Sequence, residues 1–278
     1  MGVINITPDS FSDGGLYFDK DKAVERGLDL ASEGADIIDI GGESTRPGSV
    51  PIPKDEEIKR VIPVISELRK RIDVPISVDT TKSEVAEAAL EAGAEMVNDI
   101  SALRFDPQMI PLVARKNIPI VLMHMKGKPK TMQINPHYED LLQEVKDFLC
   151  GRIEEAYTHG IDREKIIIDP GIGFGKTLKD NLVLINNLNV FEDLERPILV
   201  GISRKSFMGK ILNLPPEERL EGTIASALLS IIRGAHILRV HDLGRVKRAV
   251  RVAEAIMDSD LGHPPFEEDE KRKDRYVC

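Results

Sequence analysis

Residues 75–98, PISVDTTKSEVAEAALEAGAEMVN, contain one strand–helix–strand unit that decides the fold class. The apolar runs that end at Asp79 and Asn98 predict two strands. Between them, residues 81–84 (TKSE) have the capping-box pattern that starts a helix, and Gly93 is predicted to end it. Strands of such continuous hydrophobicity are typical of a parallel sheet that is covered on both faces.

The same unit recurs along the chain, with strands about 34 residues apart. Helices are also predicted over 22–33 and 223–233, each followed by a glycine. Alternation alone leaves an open doubly wound sheet possible, but a count of eight strands favours an α/β (β/α)₈ TIM barrel. We expect one barrel domain over 1–257 and a charged tail over 258–278. The predicted strands cover 3–6, 36–40, 75–79, 95–98, 119–123, 165–169, 197–201 and 236–240.

Composition limits the classes of function. The 278 residues include 38 basic and 47 acidic side chains, a net charge of −9, which argues against nucleic-acid binding. No apolar run reaches the roughly 18 residues that a membrane span needs. No secretory signal opens the sequence, and two cysteines cannot form a disulfide framework. We therefore expect a cytoplasmic protein with reduced thiols.

Polar side chains follow seven of the eight predicted strands, and in a barrel these strand ends meet at one mouth. Carboxylates and an amide there suit a planar heterocycle with several N–H donors, while a lysine can donate to its carbonyl group. Arg239 and His241 could take an anionic leaving group. The residues at the strand ends are Asn5, Asp79, Asn98, His124, Asp169, Ser203 with Lys205, and Arg239 with His241.

Three loops at this mouth could contribute to function. Those over 7–15 and 41–53 are longer than most strand-to-helix loops and predict either lids or surface turns. The third, over 168–177, fails the spacing of both the Walker and the dinucleotide-binding motifs. Its three glycines are interpreted as allowing a flat ligand to approach the backbone.

Seven motifs at these positions resemble, in the same order, those of the dihydropteroate synthase family, the folate-pathway enzymes that sulfonamides inhibit. The resemblance runs from Met1 to about Ala255. It implies the condensation of 6-hydroxymethyl-7,8-dihydropterin diphosphate with 4-aminobenzoate, with Mg²⁺, in a homodimer formed through 223–233 and 245–255. The motifs are NITPDSFSDGG at 5–15, ESTRPG at 43–48, SVDT at 77–80, NDIS at 98–101, DPGIGFGK at 169–176, SRKS at 203–206 and RVHD at 239–242.

The resemblance also implies a role for each matching residue. Asn5 would bind the metal ion, Arg239 and His241 the diphosphate, and Asp13 would help close the first lid. The family's mechanism is dissociative: diphosphate leaves before the arylamine attacks. The implied pterin pocket is Asp79, Asn98, Asp169 and Lys205 with Met123 and Phe174 against the ring, Gly201 is a further substrate contact, and the implied aminobenzoate site is Thr45, Arg46, Pro47 and Ser206.

Two other functions are compatible with a pterin pocket. A cobalamin-type pterin-dependent methyltransferase needs neither the diphosphate residues nor the aminobenzoate loop. A non-catalytic pterin-binding homologue would be expected to lose lid residues such as Asp13 and Arg46, both of which are present. Members of the family usually carry a segment before the first strand that covers the bottom of the barrel, and we expect either its loss or a short start here.

Overall fold

A computed structural model describes residues 1–7 and 16–259. Its eight strands coincide with the eight predicted ones to within about two residues. All pairs are parallel and follow chain order. The strands are β1 (Gly2–Asn5), β2 (Ile38–Gly41), β3 (Ile76–Asp79), β4 (Met96–Asp99), β5 (Ile120–Met123), β6 (Ile166–Asp169), β7 (Leu199–Gly201) and β8 (Ile237–Arg239).

Two bridges close the strands into a ring. Gly2 pairs with Val240, which joins β1 to β8, and Ile168 pairs with Ile198, which joins β6 to β7. The predicted (β/α)₈ barrel is therefore confirmed. In the described part of the chain the helices are α1 (Leu16–Ser32), α2 (Lys54–Arg69), α3 (Ser83–Glu91), α4 (Met109–Lys116), α5 (Leu141–Thr158), α6 (Leu178–Asn186), α7 (Ser206–Leu212), α8 (Leu220–Ile232) and α9 (Leu243–Asp258).

Alternate residues of each strand face opposite sides of the barrel wall, because side chains of a strand have a period of two. In β2, Ile38 and Ile40 pack in the large core between the strands and the helices. A second, smaller core lies inside the barrel, at the end where the strands begin. We call it the floor, and it consists of Met1, Met96, Val121, Ile167 and Leu199, with Ile37 and Ile237 packed against them.

The structure corrects several predicted helix boundaries. Lys82, the N-cap of α3, makes no side-chain cap bond, so the capping box predicted at 81–84 is wrong. The Ser83 N–H instead donates to Asp106 Oδ2 at 2.8 Å, because the loop after β4 brings a carboxylate to this helix end. Gly93, at φ +110°, does end α3 as predicted. The α1 helix begins before residue 22, since no glycine or proline interrupts 16–22.

Two predicted features extend beyond the described residues. Most of the first lid, including Asp13, lies in the segment 8–15, outside them. So does most of the proposed tail, from residue 260 onward. In the ranges 1–7 and 16–259, no helix is long and apolar enough to cross a membrane.

Candidate active site

Four side chains form one buried network at the mouth of the barrel. Arg239 donates from Nε to Asp39 Oδ2 at 2.6 Å and from Nη2 to Asp79 Oδ2 at 2.7 Å. Asn98 Nδ2 donates to the same Asp39 oxygen at 3.1 Å. Asp39, Asp79 and Asn98 are buried and come from three neighbouring strands. The structure thus brings together Asp79 and Asn98, which were predicted to share a pocket, and it places Arg239, predicted to lie across the mouth from them, in direct contact with Asp79.

This network has two carboxylates for one guanidinium. Burial, opposed by the charge of Arg239 and helped by the charge of the nearby Asp39, raises the pKa of Asp79 to about 7. Burial alone would lower the pKa of Arg239, but the two carboxylates outweigh it and the guanidinium stays charged. An excess of buried negative charge favours a ligand that presents N–H groups or develops positive charge.

Sequence reasoning missed Asp39. The signal was a charged residue in the middle of a strand that is otherwise isoleucine, at a position where both faces are buried. Such a residue faces the barrel interior and needs a partner there. Its Oδ1 and the Ser77 hydroxyl, its register partner on β3, have no hydrogen-bond partner in the described part of the chain.

A second group faces this network from β6 and the loop after β7. Asp169, at the end of β6, accepts a hydrogen bond from the Gly171 N–H at 2.7 Å, and burial raises the pKa of its carboxyl. Lys205 donates from Nζ to the Ile172 carbonyl and lies 4.7 Å from the centre of the Phe174 ring. Burial lowers the pKa of Lys205 to about 8, although Asp169 attracts its proton.

Apolar side chains line the same side of the mouth. Met123 is buried in a small cluster with three other apolar residues, and Phe174 packs against this cluster. The predicted ring contacts Met123 and Phe174 thus lie together. Gly201 ends β7 beside Arg239, its register partner, and Lys205 Nζ is the nearest atom to where its side chain would begin, at 3.8 Å.

Two of the glycines after β6 have a packing role that was not predicted. A Cβ atom at Gly171 would lie 1.9 Å from the His124 carbonyl oxygen, and one at Gly175 would lie 2.5 Å from that of Lys126. Both glycines are therefore needed for packing against the loop after β5, and this requirement alone accounts for glycine at these two positions. Lys176, also missed from the sequence, holds this packing: its buried Nζ lies 2.9 Å from His124 Nδ1.

Asn5 and His241 meet at the ends of β1 and β8. Asn5 Nδ2 lies 3.3 Å from His241 Nε2, and the His241 N–H donates to Ser203 Oγ at 3.2 Å. Burial, reinforced by the charge of Arg239, lowers the pKa of His241 to about 4, so the ring is neutral near pH 7. The next residue, Asp242, accepts two hydrogen bonds from Arg204, which ties the loops after β7 and β8 together.

The loop over 41–53 extends from β2 towards the loop after β5. The Gly48 N–H donates to the Pro129 carbonyl at 3.1 Å. Since β3 and β4 stand between β2 and β5, the loop passes over the ends of those strands. Arg46 and Pro47 are exposed and Thr45 is half-buried, and the charge of Arg46 contributes to the low pKa of His241. Ser206, the first residue of α7, is also exposed.

The donor set for a metal ion is small. Within the described ranges, no three His, Cys, Asp or Glu side chains are grouped as metal ligands. Mg²⁺ at phosphate sites is commonly held by one or two protein oxygens together with phosphate oxygens and water. The Asn5 amide, beside His241, fits an ion of that kind, which would arrive with a diphosphate.

Comparison with known proteins agrees with this geometry. The model of the family described as pterin binding enzyme matches residues 1–241. The chain is 47% identical to the dihydropteroate synthase of Bacillus subtilis (strain 168), over 95% of this chain and 90% of that one. It is 45% identical to the Escherichia coli (strain K12) dihydropteroate synthase, over 93% and 92% of the two chains.

Solved structures give the same result. The Yersinia pestis dihydropteroate synthase, in a sulfonamide drug complex, is 43% identical and superposes with a TM-score of 0.88, over 93% of this chain and 94% of that one. The Xanthomonas albilineans dihydropteroate synthase in complex with 7,8-dihydropteroate is 45% identical with a TM-score of 0.84, and 92% of each chain is covered. The present chain is similar to both over its whole barrel.

Proposed function

The chain belongs to the pterin binding enzymes and is a dihydropteroate synthase, a transferase of folate biosynthesis, and on this basis we propose which residues carry out its reaction. The substrates are 6-hydroxymethyl-7,8-dihydropterin diphosphate and 4-aminobenzoate. The pterin methylene loses its bond to the diphosphate oxygen and gains a bond to the arylamine nitrogen. The amine gives up one proton, and dihydropteroate and diphosphate are the products.

The observation that carries the assignment is the set of buried charged groups at the mouth, where two carboxylates share the guanidinium of Arg239. Asp79, Asn98 and Asp169 can accept from the N–H edge of the pterin, and Lys205 can donate to its carbonyl group. Met123 and Phe174 provide an apolar surface for the flat ring. We assign the diphosphate to Arg239 and His241, with Asn5 beside His241.

We propose that the carbon–oxygen bond breaks before the amine attacks. The methylene then carries positive charge conjugated with the pterin, and the buried carboxylates Asp79 and Asp169 stabilise it. Arg239 and Arg46 stabilise the leaving diphosphate. A bound Mg²⁺, with Asn5 as its protein ligand, would neutralise part of the diphosphate charge. Asp13, outside the described residues, is proposed to help exclude water from the site.

Diphosphate release, measured with and without aminobenzoate, tests this function. We expect rapid release only with both substrates, and a slow residual release without aminobenzoate as water traps the cation. A pterin-binding protein without activity would release none. A pterin-dependent methyltransferase would bind pterin without any dependence on diphosphate.

Replacing Arg46 by alanine tests the second lid. Because Arg46 is exposed, we expect little change in thermal stability or in the affinity for the pterin diphosphate alone. The loss of one charged hydrogen-bond donor should lower kcat/KM for aminobenzoate about 10- to 100-fold. Steady-state kinetics together with thermal unfolding measure both effects. Normal kinetics with reduced stability would instead identify the loop as a surface turn.

We further propose a homodimer that buries the outer faces of α8 and α9. Large apolar side chains on these two adjacent helices are exposed, among them Ile232, Val252 and Ile256. Contiguous exposed apolar surface of this kind marks an interface. The substitution Val252→Asp should therefore shift the mass in light scattering from dimer towards monomer. Ile134→Asp, at an equally exposed position in the loop after β5, is the control and should leave the mass unchanged.

A cytoplasmic location is proposed as well. Only two cysteines occur in the chain, and Cys150 is a free, exposed thiol, which suits a reducing compartment.

A further inference from the structure

The carboxylate of Glu43 joins the two ends of the second lid. Glu43 lies two residues after β2, and its Oε2 accepts a hydrogen bond from the Ile52 N–H at 3.1 Å, near the start of α2. The same oxygen accepts from Lys82 Nζ at 2.5 Å. One oxygen atom therefore closes the segment 43–52 into a ring and fastens it to a residue outside the loop.

Lys82 is itself held in place by a buried carboxylate of α2. Its Nζ also donates to Glu57 Oε2 on α2, and the Glu57 side chain is only 1% exposed. Burial lowers the pKa of Lys82, but the hydrogen bonds to Glu43 and Glu57 outweigh this and raise it. Lys82 is thus an ammonium at neutral pH, and a partner as buried as Glu57 cannot easily move away.

The position of this bridge links the lid to the pterin pocket. Lys82 lies three residues after Asp79 and is the N-cap residue of α3. On the other side of the loop, Arg60 donates from Nη1 to the Gly42 carbonyl at 2.8 Å. With the far end of the loop bonded to Pro129, Arg46 lies on a segment that is fixed at its base and at its tip.

We propose that Glu43, held by Lys82 and Glu57, is a positioning residue for aminobenzoate: it fixes the loop that carries Thr45, Arg46 and Pro47 over the pterin pocket. The inference rests on the proposed assignment of this loop to the aminobenzoate site. The proposed role of Glu43 is to hold the loop in one conformation. Glu43 is bonded to the Ile52 N–H and to Lys82, and the role does not require contact with the substrate.

The test is Glu43→Ala, compared with a matched control. We expect KM for aminobenzoate to rise about fivefold or more, while the affinity for pterin diphosphate, measured by calorimetric titration, stays within about twofold. Lys82 and Glu57 remain paired in this variant, so it should fold, and thermal unfolding checks this. Glu84→Ala is the control. It also removes a carboxylate that is paired with a lysine, because Glu84 on α3 pairs with Lys54 on α2, but this pair lies on the exposed surface. It should leave both constants unchanged.

Lys82→Arg separates positioning from general stability. It keeps a cation between the two carboxylates, and we expect near-normal kinetics from it. An unchanged KM for aminobenzoate in Glu43→Ala would overturn the inference, as would an equal loss of pterin affinity. If Arg46→Ala raises KM and Glu43→Ala does not, only the inference fails. If the unaltered protein does not use aminobenzoate, the proposed function fails.

Discussion

The substitution Arg239→Met is expected to destabilise the protein by about 3–5 kcal/mol near neutral pH, because it leaves Asp39 and Asp79 buried without their cation. Methionine has a similar volume, so the effect reports the charge more than the packing. Urea unfolding of both proteins gives the difference in the free energy of unfolding.

The pH dependence of this loss identifies its cause. The pKa of Asp79 is already raised to about 7 by burial, and loss of Arg239 raises it further. The folded variant then binds more protons than the unfolded chain, so its stability falls as the pH rises. The deficit should be largest above about pH 7 and should shrink towards about pH 5. Arg115→Met, which removes an exposed ion pair with Glu87, is the control. An Arg239→Met deficit that does not change with pH would contradict the charge argument.

The substitution Lys205→Met is expected to weaken binding of the pterin diphosphate by about 10- to 100-fold, the range for one charged hydrogen bond. It removes the proposed donor to the pterin carbonyl and also the cation whose charge most lowers the pKa of Asp169. Calorimetric titration measures the affinity. Lys210→Met, at an exposed position on α7, the helix that follows Lys205, should bind normally.

The affinity of the unaltered protein should also depend on pH in a way that the variant loses. Burial lowers the pKa of Lys205 to about 8, so the ammonium that donates the hydrogen bond is present below that pH and is lost above it. Binding should therefore weaken as the pH rises through about 8 in the unaltered protein only. An identical pH profile in Lys205→Met would remove Lys205 from the pterin pocket.

The barrel could be predicted from the sequence because each strand is an isolated apolar run and several helices are followed by a glycine, as α3 is by Gly93. The positions of Asp79, Asn98 and Asp169 at strand ends were enough to predict one polar mouth. The pattern could not show which strand residues face inward, because both faces of the strands are buried and hydrophobicity does not alternate. Asp39 was missed for that reason.

The other features that could not be predicted are hydrogen bonds between residues that are distant in sequence. The bond from Arg239 to Asp39 joins residues 200 positions apart, and the link from Lys82 to Glu43 joins residues 39 apart. Nothing local marks such pairs. The N-terminus of α3 shows the same limit, since its cap comes from Asp106 in another loop while the local capping pattern goes unused.

The apolar floor of the barrel determines the route by which substrates enter the site and products leave it. Since it fills the end opposite the mouth, every molecule must enter and leave through one opening. In the proposed arrangement the pterin pocket lies deepest and the loop of Arg46 lies outermost, so we expect the pterin to enter first and the product to leave with its aminobenzoate end leading. For the same reason we expect that aminobenzoate, at any concentration, would not displace an inhibitor from the proposed pterin pocket.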